Sequence, residues 1–209
     1  MNFLIFINFK TYKYGEDVLK LAKIIETFNN KIVIGVQPTD IFLLSKKTNL
    51  KIFSQHVDFF EPGRNTGFIT IESIKSCGAS GTFLNHSEHK LSLSVLERTI
   101  KRCKDKKIKT AVFVQDLKEA KEVEKFSPDY IIYEPPELIA GDISVSKAKP
   151  KILLSLKENL KKEFLVGAGI KTREDVIKSL KLGAAGVAIS SVLMRSKNPK
   201  KVLIDLFDF

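Results

Sequence analysis

The chain has 209 residues, a length suited to one domain, and 44% of them are hydrophobic, enough for a substantial core. No apolar run is long enough to span a membrane, and the two cysteines and three histidines show no metal-ligand spacing. The net charge of +11 would suit a nucleic-acid or anionic partner. The lysines are scattered along the whole chain, however, and no arm, repeat or recognition motif accompanies them, so they read as a solvated surface.

The opening "MNFLIFINFK" lacks the basic flank of a signal peptide, and Asn8 and Lys10 interrupt its apolar stretch. It reads as a first strand, and the chain is expected in the cytoplasm. Further short apolar runs follow at 31–36, 51–57, 81–86, 110–115, 129–134, 164–169 and 186–190. Amphipathic stretches lie between them, at 16–28, 94–104, 117–126 and 173–183, the last closing on Gly183. Cys77 and Cys103 are expected as free, buried or half-buried thiols.

Alternating strands and helices predict a parallel sheet covered on both faces. About eight such units close a single-domain (β/α)8 barrel over residues 1–209, near the short end of that fold. An open doubly wound sheet has the same alternation. No GxGxxG follows the first strand, which argues against its dinucleotide-binding form.

In such a barrel the active site lies at the carboxyl ends of the strands. Strand one ends on Asn8 and Lys10, strand four on Asn85 and His86, and strand six on Glu134. Strand seven ends in Gly167-Ala168-Gly169, and strand eight in Ser190-Ser191 before a short helix. Taken singly, each has an ordinary structural explanation. Together they put a cation, an imidazole, a carboxylate and two small-residue turns at one end of one barrel.

The segments "NFKTY" (8–12), "TFLNHSEHK" (82–90), "YEPPELI" (133–139) and "SVSKAKP" (144–150) resemble those of the triosephosphate isomerase family, most of all its short archaeal form. The resemblance continues through "SQHVDFFEPGRNTG" (54–67), "VGAGIKTREDV" (166–176) and "LGAAGVAISS" (182–191), in order and nearly end to end. It implies a TIM barrel and the interconversion of dihydroxyacetone phosphate and D-glyceraldehyde 3-phosphate, in glycolysis or gluconeogenesis. No cofactor, metal, nucleic acid or membrane is implied.

The family is itself a familiar case of pKa tuning, so the roles come with the resemblance. It makes Glu134 the base, His86 the neutral electrophile at the start of a short helix, and Lys10 the cation that offsets substrate charge. Asn8 matches a substrate-orienting residue and Glu88 an acid that pairs with the lysine. Gly167, Gly169, Ser190 and Ser191 lie in the turns that match the phosphate grip, where backbone N–H groups approach the dianion. Ile139 lies in a lid whose first hinge is stiffened by Pro135 and Pro136 and whose second is "SVSKA".

Three places depart from the family pattern. The lid tip reads Ala140-Gly141-Asp142 in place of Gly-Thr-Gly, and a carboxylate there would repel phosphate. His89 stands where relatives carry Arg. Val192 follows the serine pair where a smaller residue is usual, and it fits only if that position is already helical. Thr66 and Phe68 lie in the loop through which the family contacts a neighbouring subunit, so a homo-oligomer, dimer or tetramer, is expected.

Three other functions share parts of this pattern. A barrel of the same ancestry that only senses a phosphorylated metabolite would draw on the altered lid tip. A synthase or aldolase would need a Schiff-base lysine or another acid–base set. A nucleic-acid binder would rest on charge alone.

Overall fold

Branched and aromatic residues fill the short apolar runs, and they become strands buried on both faces. The computed structural model describes residues 3–28, 31–139 and 144–208. Its strands are β1 (Leu4–Asn8), β2 (Lys31–Val36), β3 (Lys51–Ser54), β4 (Gly81–Leu84), β5 (Lys109–Val114), β6 (Tyr130–Tyr133), β7 (Phe164–Val166) and β8 (Gly186–Ile189). Each pairs in parallel with its neighbours in sequence. Leu4 of β1 lies opposite both Lys31 of β2 and Gly186 of β8, so the sheet closes into a barrel.

The helices are α1 (Glu16–Glu26), α2 (Pro38–Lys47), α3 (Ile71–Ser76), α4 (Leu93–Asp105), α5 (Leu117–Lys125), α6 (Val145–Ala148), α7 (Pro150–Asn159), α8 (Arg173–Lys181), α9 (Ser191–Met194) and α10 (Pro199–Phe207). Their starts follow local chemistry. Thr70, Ser92, Asp116 and Thr172 each accept a hydrogen bond from the backbone N–H three residues on. Asp175 returns the bond at α8, completing a capping box.

Two cores result. One lies between strands and helices and includes Ile7, Ile34, Leu84, Val112, Ile131 and Val166. The other fills the barrel with Phe6, Phe53, Phe83, Phe113, Ile132 and Leu165. Phe6 meets Phe53 edge-on at 5.6 Å between centroids, and Phe83 meets Phe113 at 5.4 Å. These rings need small partners on facing strands. A Cβ on Gly35 would stand 1.9 Å from Phe83, and one on Gly81 would stand 2.3 Å from Phe53.

Several elements are shorter than the apolar runs suggest. β3 ends at Ser54 and β7 at Val166, because the following residues turn off the sheet to build the mouth of the barrel. The helix expected to 28 ends at Glu26. Both cysteines are free, and burial pushes the Cys103 thiol up to about 12. Among the described residues no helix is long and apolar enough to cross a membrane.

Candidate active site

The alternation that plugs the barrel also aims its polar residues. Phe6, Ile132, Leu165 and Ala188 face inward. Two residues on along the same strands come Asn8, Glu134, Gly167 and Ser190, which therefore face inward at the carboxyl-end mouth. β4 breaks the rule. Phe83 points in, so Asn85 would be next, but Asn85 adopts φ of 60° and turns the chain. Its side chain is spent on the loop: Nδ2 donates to Phe113 O and Glu119 Oε1, each at 2.9 Å, while Oδ1 accepts from Leu91 N–H. His86 takes the inward place instead.

His86 Nε2 lies 3.0 Å from Glu134 Oε2, yet too poorly aligned to hydrogen-bond, and both atoms are buried without a partner. Two buried polar groups left unpaired side by side mark a space that a polar ligand satisfies. The other imidazole nitrogen, Nδ1, accepts the Glu88 backbone N–H at 3.1 Å. That fixes the tautomer: Nδ1 carries no proton, and Nε2 carries the N–H. Phe113 holds the ring edge-on at 4.8 Å. The expected short helix at "HSE" is a single turn, closed by His89 N–H donating to His86 O, because the chain is already committed to the Asn85 kink. The neutral imidazole thus rests on one backbone N–H rather than on a helix terminus.

Lys10 is held from three directions. Its backbone has φ of 46°, an unusual conformation at the end of β1. Asn8 Oδ1 accepts its N–H at 2.9 Å, and Gln55 Nε2 donates to its carbonyl at 2.8 Å. Its ammonium donates to Glu88 Oε1 at 2.6 Å. The expected Lys10–Glu88 pair is therefore present, and Asn8 organises the lysine as well as lining the cavity. Gln55 has no obvious sequence signal; it is read only from the structure.

Lys10, Glu134 and Ile139 line one cavity with Gly169, Ser190 and Ser191. Ala168 and Gly169 both have positive φ, 67° and 68°, which folds the turn after β7 over this space. Ser190 Oγ is buried without a partner. Val192 lies inside α9 and has no positive φ, so the larger side chain fits. Gly167 does not line the cavity. It supports Glu134 from behind, where a Cβ would come within 2.7 Å of Oε1.

The segment expected as the first hinge of a lid is a 3-10 turn, Pro136–Leu138, and that expected as the second is α6. Glu137 and Lys149 form an ion pair that joins the two. α6 is anchored to α8 by Asp175. Burial opposes the charge on that carboxylate, but hydrogen bonds from Ser144, Lys171 N–H and Thr172 and the Lys147 ammonium at 3.1 Å overcome it, drawing the pKa down to about 2. The Ala140-Gly141-Asp142 tip lies outside the described residues. His89 stacks on His56 at 4.2 Å between centroids, and burial lowers the pKa of His56.

A carboxylate, a neutral imidazole and an ammonium converge beside a tight turn at the mouth of a (β/α)8 barrel. This defines an acid–base site for a small anionic substrate. The family model for triosephosphate isomerase matches residues 3–206. Triosephosphate isomerase from Methanocaldococcus jannaschii is 40% identical over 99% of both chains. That from Saccharolobus solfataricus is 37% identical over 97% of this chain and 93% of its own. A crystal structure of triosephosphate isomerase from Bartonella henselae superposes with a TM-score of 0.77 over the whole of both chains at 18% identity, a likeness of fold. The chain belongs to the triosephosphate isomerase family.

Proposed function

We infer that the protein interconverts dihydroxyacetone phosphate and D-glyceraldehyde 3-phosphate through an enediolate, with Glu134, His86 and Lys10 as its catalytic residues. The Glu134 carboxylate takes a proton from the carbon beside the carbonyl. The electron pair of that C–H bond moves toward the carbonyl oxygen, which becomes an oxyanion. His86 Nε2–H and the Lys10 ammonium stabilise the charge that appears there. The hydroxyl proton on the first carbon passes to the oxyanion by way of His86 Nε2, and Glu134, now protonated, gives its proton to the former carbonyl carbon, so no atom is gained or lost.

The observation that carries this reading is the pair of unpartnered buried atoms, His86 Nε2 and Glu134 Oε2, 3.0 Å apart. In the complex the substrate's oxygen faces the His86 donor and its C–H faces the Glu134 acceptor, replacing the unproductive contact between the two. Gly169, Ser190 and Ser191 bind the phosphate end, Asn8 orients the substrate, and Ile139 contacts it from the lid, with Gly167 leaving room for the base and Glu88 supporting Lys10. Lid closure over Ile139 excludes water from the intermediate. Residues 1–209 act as one cytoplasmic domain at the triose step of glycolysis or gluconeogenesis. Oligomer contacts come from the loop holding Thr66 and Phe68, where Phe68 is half exposed and packs on Phe60.

A coupled assay of D-glyceraldehyde 3-phosphate isomerisation tests the reading. Sustained turnover without added metal or cofactor is expected. Tight binding of the triose phosphate with no turnover would overturn it.

A further inference from the structure

The other end of the barrel carries a feature that the isomerase site does not use. Val33, Phe53 and Ala111 face the barrel interior. Two residues before them, at the starts of β2, β3 and β5, stand Lys31, Lys51 and Lys109. The pleat therefore puts three lysines on the inward side of the sheet at its amino-terminal mouth. All three line one cavity of about 120 Å³ together with Phe53, Tyr130 and Ser80. Their ammonium ends are exposed while their stems border this aromatic pocket. Lys109 Nζ lies 5.8 Å from the Tyr130 ring centre.

Some lysines elsewhere pair with carboxylates: Lys10 with Glu88, Lys90 with Glu119, Lys147 with Asp175, Lys149 with Glu137. Among the described residues, none of the three at this mouth has an ion-pair partner. Asp129, next to Tyr130, is turned toward Thr110, whose backbone N–H it accepts at 2.9 Å. Glu163 precedes Leu165 by two and has the inward parity, but it neither pairs with the three lysines nor lines the cavity. Three like charges around one concave, carboxylate-free opening repel one another and focus a positive potential into it.

We propose that the amino-terminal mouth of the barrel is a second binding site, for a small polyvalent anion of the condensed-phosphate class. The three lysines rise from strands β2 to β5, spread over roughly 14 Å of sheet at about 4.8 Å per strand. An anion with charge at two or more linked centres meets all three with less crowding than a single phosphate group. The site lies at the opposite end of the barrel from Glu134, so it is separate from substrate binding.

The test uses the purified full chain and inorganic pyrophosphate and tripolyphosphate as probes, read by calorimetry and by thermal melting. The wild type is expected to bind both and to melt at higher temperature in their presence. Lys51→Gln and Lys109→Gln each weaken binding by about tenfold or more, as expected for loss of a charge-assisted contact. Their isomerase turnover without pyrophosphate equals that of the wild type. Lys10→Met, which alters only the catalytic mouth, keeps the affinity. Affinity that is unchanged in Lys51→Gln and Lys109→Gln but lost in Lys10→Met would overturn the proposal, since the probe would then be occupying the isomerase site. So would a wild type that binds neither probe, or one that binds monophosphate as tightly as either.

Discussion

Ile132 and Glu134 stand two residues apart on one strand and face the same axis, yet one is a core residue and the other is half-buried and polar. The same step from apolar core to polar side chain separates Phe6 from Asn8 and Ala188 from Ser190. Inside the barrel the rings interlock and no backbone is strained. At the carboxyl-end mouth, Lys10, Asn85 and Ala168 are all held at positive φ, and His86 Nε2, Glu134 Oε2 and Ser190 Oγ are buried unpaired. Lys107 and Ser127 also take positive φ, in the turns before β5 and β6, but at the carboxyl-end mouth strain and unsatisfied polarity coincide, and that coincidence separates the part of the strands that reacts from the part that supports. Substitutions above this boundary should change rate with little change in stability, and those below it the reverse.

The largest effect short of removing the base is expected from His86→Ala. Losing the one neutral donor at the developing oxyanion should lower kcat by about 10² to 10³-fold while the melting temperature changes little. Steady-state kinetics beside a thermal melt checks both halves. Next comes Gly167→Ala. The new Cβ would push on Glu134 Oε1 from 2.7 Å and displace the base, costing about 10²-fold in kcat with substrate affinity nearly kept.

Gly35→Ala crosses the boundary. Its Cβ would overlap the Phe83 ring, and overpacking of this kind costs about 1–3 kcal/mol, read as a lower denaturant midpoint. If Gly35→Ala lost rate but kept its stability, the two ends would not be separable. A smaller effect is expected at the second hinge. The Asp175 pKa is depressed to about 2 from the ordinary 3.8. Its stabilisation is therefore complete above about pH 4 and lost as pH falls through 2, amounting to about 2 kcal/mol. Asp175→Asn should remove that acid limb from a stability–pH curve and loosen α6.

Much of the barrel was legible because burial on both faces writes itself as short apolar runs with amphipathic stretches between them. The inward polar residues of β1, β6 and β8 were legible for the same reason, as the next step of an alternation. What sequence could not give was how the chain departs from that alternation. Asn85 turns left-handed, so the histidine beside it reaches the site, and the turn it begins replaces the expected short helix. Gln55 reaches Lys10 and Asn8 across the mouth, a contact between β1 and the loop after β3 that no spacing encodes. Gly167 looked like part of the phosphate turn; the structure puts it behind Glu134, because close approach of a neighbouring side chain is invisible in a one-dimensional pattern. The His56–His89 stack likewise exists only once two loops have met.

The most direct test of the central claim is Glu134→Gln, with kcat and substrate affinity measured together. The amide keeps the shape of the side chain and removes its basicity. A fall in kcat of about 10³-fold or more with triose phosphate still bound at near wild-type affinity is the predicted result. A variant that keeps kcat within about tenfold of the wild type would contradict the account, because the proton would then be moving through some other group.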